Sequence, residues 1–251
     1  MSGGELEGRV AIVTGSARNI GRAIALGLAR AGAAVVVNAQ KSAGEAQATA
    51  DAITAVGGRA VVQLADVTQP AGAATLVDAA LKAFGRLDCL VNNAAVRRET
   101  PFAEMSFEDW RAVTAIILDG AFLMAKAALP ALKQSDSGSI INIGGMSAHT
   151  GAINRAHVVA AKSGLVGLTR ALAHDLAADR ITVNCVVPGM IATDRGGSSA
   201  AAPAHHAQHM PPLGRRGTPE EIAALVRFLA GPQARYITGQ SIHANGGVFM
   251  P

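Results

Sequence analysis

Short apolar runs alternate with longer stretches of helical period along almost the whole chain, and this alternation constrains the fold more than any other feature. Val10–Val13, Ala34–Asn38, Ala60–Ala65 and Asp88–Asn92 read as strands, followed by Ser139–Ile143, Ile181–Val187 and Ser241–Ala244. Residues of about 20–31, 43–56, 71–84, 107–133, 152–178 and 219–230 carry the helical pattern between them. Strands separated by helices of this length require right-handed crossovers. The expected fold is α/β, a doubly wound parallel sheet of about seven strands with helices on both faces. Half of the residues are hydrophobic but only 3% are aromatic, so Ala, Val, Leu and Ile must fill the core. Small side chains let helices lie close on a sheet buried on both faces. With 251 residues the chain is expected to close as one domain, 1–251.

The first strand runs into Thr14-Gly15-Ser16-Ala17-Arg18-Asn19-Ile20-Gly21, where a helix begins. Glycine at such a turn lets the backbone approach a pyrophosphate, and the helix aims its first N–H groups at the same anion. Asn19 stands where a third glycine is expected, and asparagine is the side chain that best tolerates positive φ. An acidic residue just after the second strand would bind a ribose 2′-hydroxyl and repel a 2′-phosphate. That position is Ala39, followed by Gln40 and Lys41. Arg18 and Lys41 are the candidates to bind a 2′-phosphate by charge-assisted hydrogen bonds. NADP(H) is therefore the expected cofactor, ahead of NAD(H).

Other features narrow the function. The net charge is +4, with basic residues spread along the chain, so neither nucleic acid nor membrane is expected as a partner. A small-molecule substrate is. Cys89 and Cys185 stand alone in apolar runs and read as buried hydrophobes rather than metal ligands or a disulfide. Met1–Gly8 lacks the pattern of a secretion signal, and no apolar run is read as a membrane span, so a cytoplasmic location is expected. Gly196–His206 is rich in Gly, Ser and Ala, and predicts a lid at about 194–213. His205, His206 and His209 fall in it, but no carboxylate or Cys nearby completes a set, and no metal is expected.

Several segments, in order and spacing, resemble the short-chain dehydrogenase/reductase family over nearly the whole chain. Thr14–Gly21 resembles the family's cofactor turn, and Asp66-Val67 the pair that frames the adenine. Asn92-Asn93-Ala94-Ala95 is similar to its Asn-Asn-Ala-Gly segment. Val183-Asn184 and Pro188-Gly189-Met190-Ile191-Ala192-Thr193 resemble the segment that holds the nicotinamide amide. Ile237-Thr238-Gly239-Gln240 and Asn245-Gly246-Gly247 match its closing strand. The resemblance implies a Rossmann-type fold, hydride transfer and a homotetramer. It assigns cofactor contacts to Gly15, Ser16, Arg18, Asn19, Ile20, Gly21, Lys41, Asp66, Val67, Asn93, Ala94, Lys162, Pro188, Gly189, Ile191 and Thr193.

The family's catalytic set does not carry over. Its Lys corresponds to Lys162, but Val158 stands four residues earlier where the family has Tyr. Gly145 occupies the position of the Ser, and Ile117 that of the Asn. Tyr236, the one tyrosine, lies near the closing strand. Loss of a positioned general acid costs about 10²–10⁴ in rate, so ordinary ketone reduction by the family's route should be crippled. Histidine is suited to proton transfer near neutral pH. His149 and His157 are therefore the candidate replacements, with Arg155 a weaker one and Ser147 close by. Two functions are expected to compete: an NADP(H)-dependent oxidoreductase with an altered proton path, and a non-redox cofactor-binding regulator or reused fold.

Overall fold

A computed structural model describes residues 4–193 and 210–251. In chain order it contains β1 (Val10–Val13), α1 (Asn19–Arg30), β2 (Ala34–Ala39), α2 (Ala43–Ala55), β3 (Arg59–Leu64), α3 (Pro70–Phe84) and β4 (Cys89–Asn92). There follow α4 (Phe107–Thr114), a π turn (Ala115–Asp119), α5 (Gly120–Leu132), β5 (Ser139–Ile143), α6 (Ser147–Thr150), α7 (Ala156–Asp175), β6 (Thr182–Pro188), α8 (Pro219–Ala230) and β7 (Ser241–Ala244). The seven strands form one sheet in the order β3-β2-β1-β4-β5-β6-β7, every pair parallel. This is the Rossmann-type, doubly wound fold. The direction of winding reverses between β1 and β4, and the crevice outside their carboxyl ends is where such sheets bind ligands.

The inner strands β1, β2, β4, β5 and β6 are largely apolar and buried at every residue, so helices cover both faces of the sheet there. On β1, Ala11 and Val13 face a core shared with Ile24 and Leu28 of α1, Ile53 of α2, and Ile222 and Val226 of α8. Val10 and Ile12 face the opposite core, with Leu76 of α3 and Met124, Ala128 and Leu132 of α5. The period of two along each strand thus feeds two helical layers. α8 begins where the sequence dictates: Thr218 caps Glu221, Glu221 reaches back to Thr218, and Pro219 opens the first turn.

Two helices differ from the sequence expectation. α7 starts at Ala156 rather than near 152, because Gly151 (φ 72°) and Asn154 (φ 58°) turn the chain left-handed just before it. The stretch Phe107–Leu132 is continuously helical over 26 residues with a mean hydropathy of 1.8, so by length and composition it could cross a bilayer. That corrects the expectation from apolar runs alone. The stretch nevertheless packs on the sheet, with Met124, Ala125, Ala128 and Leu132 in the core beside Leu90 of β4 and Ile140 of β5. The lid expected at 194–213 falls for the most part outside the described residues, as do His205, His206 and His209. Cys89 and Cys185 are both buried and free, and burial pushes each thiol up to about 11.

Candidate functional site

The turn after β1 is held from below by a closed hydrogen-bond set. Ser16 is fully buried: its hydroxyl donates to Val13 O (2.7 Å) and accepts from Asn38 N–H (3.0 Å). Asn38 Oδ1 accepts from Gly15 N–H (3.1 Å), and Asn38 Nδ2 donates to backbone carbonyls of Ala39, Gln63 and Ala65. From the β4 side, Asn93 Nδ2 donates to the carbonyls of Thr14 and Gly15, both at 2.9 Å. Thr14 Oγ1 accepts in turn from the backbone N–H groups of Asn93 (2.9 Å) and Ala94 (3.0 Å). Asn38 is a site residue that the sequence analysis missed. Its signal was a polar side chain closing the buried run Val35-Val36-Val37.

The glycines here are steric requirements. A Cβ on Gly21 would lie 2.3 Å from Gly15 O and 2.5 Å from Asn93 Nδ2. Gly15 has φ +60° and would bring a Cβ to 3.0 Å from Ala94 Cα. Asn19 takes φ 51°, the left-handed conformation its side chain tolerates. Ile20 packs inward to the core, so only its backbone faces the turn. No side chain caps α1 and no acid lies in its first turn, which leaves the positive end of the helix dipole open to an anion. A cleft of about 380 Å³ opens there, lined by Arg18, Asn19, Arg22, Glu45, Thr193 and Glu220 among others. The residues present therefore fit a pyrophosphate-bearing dinucleotide.

At the far corner, Gln40 Nε2 donates to Asp66 Oδ2 (2.8 Å), bridging the ends of β2 and β3. Burial works to raise the Asp66 carboxyl. Hydrogen bonds from Thr68 and Gln40, with the charge of Lys41, outweigh it and hold the group below its usual range. Val67 is buried beside Gly120, whose Cβ would approach it to 3.1 Å. Arg18 and Lys41 are both exposed.

The opposite end of the crevice is formed by the segment after β6. Pro188 ends the strand, and a Cβ on Gly189 would meet Asn245 Cα at 2.6 Å, so the closing strand demands glycine there. Ile191 pairs with Gly217 in a single parallel bridge. Arg97 Nη1 donates to Thr193 Oγ1 (3.4 Å), linking the loop after β4 to this segment. Arg97 also escaped the sequence analysis, because only the topology brings it to Thr193.

Between the two ends stands an apolar wall. Ile117, within the π turn, and Val158, in the first turn of α7, belong to one small cluster with Val113 and Ala161, against which Val96 and Leu118 pack. Gly145, after β5, has room to spare: a Cβ there would meet only Ser147 Oγ, at 4.0 Å. Its neighbour Gly144 has none, since a Cβ would sit 2.7 Å from Cys185 Sγ. Lys162 lies one turn after Val158, 7% exposed, and its ammonium donates to Ile143 O at the end of β5. Burial, opposed by Cys185 and helped by Arg97, brings Lys162 down to about 8.

The two candidate histidines sit among other neighbours. His149 stacks edge-on against His243 (4.5 Å between ring centroids) and lies 5.5 Å from the Phe249 ring. Burial lowers its pKa, and the charge of Arg170 adds to this. His157 is fully buried in the first turn of α7, where burial lowers its pKa and the charged neighbours are Arg98, Asp109 and Arg155. Arg155 itself pairs with Glu99. Neither imidazole is among the groups that shift Lys162.

Residues 15–249 match the family model described as enoyl-(acyl carrier protein) reductase. The chain is 42% identical over 98% of its length to a 3-oxoacyl-[acyl-carrier-protein] reductase of Synechocystis sp., covering 98% of that protein. It is 38% identical to the enzyme of the same name from Escherichia coli, over 97% of this chain and 98% of that one. Among solved structures, a short-chain dehydrogenase from Burkholderia cenocepacia in complex with NADP superposes with a TM-score of 0.91 at 35% identity, covering 97% of this chain and 99% of that one.

Proposed function

The chain belongs to the short-chain dehydrogenase/reductase family, and from that premise we propose that it is an NADP(H)-dependent oxidoreductase that reduces a carbonyl by an altered proton path. The observation that carries this reading is the steric cradle at Gly15 and Gly21 beneath the open N-terminus of α1. Glycine at 21 lets α1 pack directly on Gly15 and Asn93, which supports a turn tight enough to present the first N–H groups of the helix to an anion. Gly15, Asn19, Gly21 and the α1 N–H groups would hold the pyrophosphate, with Arg18 and Lys41 on a 2′-phosphate. Asp66 and Val67 would frame the adenine, Asn93 and Ala94 would border the ribose, and Pro188, Gly189, Ile191 and Thr193 would hold the nicotinamide end. NADP is the ligand named for the Burkholderia structure, in accord with the lack of an acid at Ala39. A bound NADPH supplies a hydride equivalent to the substrate carbon.

The altered path rests on the wall. Ile117, Gly145 and Val158 offer neither hydroxyl nor amide where the family's set carries Asn, Ser and Tyr. The reductases named among the relatives suggest a 3-oxoacyl thioester as the carbonyl to try first. A homotetramer is the expected assembly, with β7 as an edge strand able to pair with another copy. The same apolar wall favours a second reading, a cofactor-binding regulator without turnover. Incubation with [4-²H]NADPH and acetoacetyl-coenzyme A separates the two. Deuterium in the 3-hydroxy product establishes the oxidoreductase. Binding of NADPH with no transfer to this or simpler ketones establishes the regulator.

A further inference from the structure

We propose that Lys162 is itself the proton donor to the substrate oxygen, in place of a side chain one helical turn earlier. This inference rests on the oxidoreductase reading above. Val158 and Lys162 share one face of α7, being four residues apart. Around Val158 the packing partners are all hydrocarbon: Val113, Ile117 and Ala161, with Val96 and Leu118 behind. A carbonyl set against this wall finds no hydroxyl in it. Among the described residues the one acceptor of Lys162 is Ile143 O, which occupies a single N–H of the ammonium and leaves two to donate.

The electrostatics suit the task. No carboxylate is among the groups that shift Lys162; Cys185 on β6 and Arg97 on the loop after β4 are the titratable and charged groups that do. Burial and Arg97 destabilise the ammonium, bringing it down to about 8, where a proton can be given up near neutral pH. The neutral imidazoles of His149 and His157 lie elsewhere, in the His243–Phe249 cluster and beside the Arg98–Asp109 pair.

In the step, the carbonyl π bond breaks as the hydride equivalent adds at carbon, forming a C–H bond. The oxygen takes a proton from Lys162 Nζ, forming the O–H bond of the alcohol. Lys162 is left as a neutral amine and recovers its proton from water. The sign follows directly. Reduction needs the protonated form and falls as pH rises through about 8, whereas alcohol oxidation needs the neutral amine and rises over the same interval.

The test uses the full chain and two readouts. Protein labelled with [ε-¹³C]lysine is titrated by NMR, with the Lys162 signal assigned by its loss in Lys162→Arg. A midpoint near 8 supports the proposal, and one above 10 overturns it whatever the turnover. Lys162→Arg keeps a cation able to hold sugar hydroxyls but does not release a proton near neutral pH. Its NADPH affinity is expected within about fivefold of the parent, and its kcat for acetoacetyl-coenzyme A lowered by about 100-fold or more. Lys162→Arg retaining more than a tenth of kcat overturns the proposal alone. Absence of deuterium transfer in the parent chain overturns the oxidoreductase reading and the proposal together.

Discussion

The turn after β1 and the wall around Val158 border the same crevice but are built on opposite principles. Beneath the turn the polar side chains are paired and glycine is compulsory: Ser16, Asn38, Asn93 and Thr14 lock the backbone, and Gly21 excludes even a methyl group. At the wall the side chains are hydrocarbon, Gly145 is spacious, and one buried cation stands alone on a carbonyl. The difference teaches which property of the site is fixed by geometry. The turn that we assign to the cofactor has a backbone shape that leaves no room for a side chain at Gly21. The chemistry beside it depends on few groups and has room to change without disturbing the fold.

Substitutions at glycine break this contrast most directly. Gly21→Val places branched carbon into Gly15 O and Asn93 Nδ2, so NADPH affinity should fall more than about 100-fold with a stability loss of about 1–3 kcal/mol. Fluorescence titration and thermal melts read both. An undiminished affinity would mean that the turn is not the cofactor site. Gly144 and Gly145 make the same contrast between adjacent residues. Gly144→Ser should cost about 1–3 kcal/mol through its contact with Cys185 Sγ. Gly145→Ser should stay within about 0.5 kcal/mol of the parent in denaturant unfolding. Equal losses at the two positions would remove the claim that the wall has space.

Smaller effects sharpen the picture. Arg18→Ala should weaken NADPH by about tenfold while leaving NADH unchanged, because a charge-assisted hydrogen bond to the extra phosphate is lost. A parallel loss for both nucleotides would assign Arg18 to the pyrophosphate instead. Asn19→Ala should cost about 1 kcal/mol, the strain of placing alanine at φ 51°, and Asn19→Gly should be nearly neutral.

Much of the fold was legible because the inner strands are short, largely apolar runs and helices such as α8 open on a readable cap. Val10–Val13, Ser139–Ile143 and Ser241–Ala244 were read to the residue. The start of α7 was misread because hydrophobic period alone cannot reveal that Asn154 turns left-handed. The π turn that carries Ile117, in contact with both α4 and α7, leaves no mark in local sequence. At the site, local motifs disclosed Gly15, Asn19 and Gly21, whereas contacts between distant segments stayed hidden. Asn38 under the turn, Arg97 against Thr193, and the stacking of His149 on His243 all depend on which strands become neighbours. Proximity in sequence made His157 a candidate, but a single step along α7 turns it away from the face that carries Val158 and Lys162, toward the Arg98–Asp109 pair.

The most direct test is a fluorescence titration of the purified chain with NADPH and, in parallel, with NADH. Saturable binding of NADPH at least about tenfold tighter than NADH is the predicted result, reflecting Arg18 and Lys41 acting on a 2′-phosphate. Failure of both nucleotides to bind, or tighter binding of NADH, would contradict the account: the first would assign the cradle at Gly15 and Gly21 to another ligand, the second would reverse the cofactor preference.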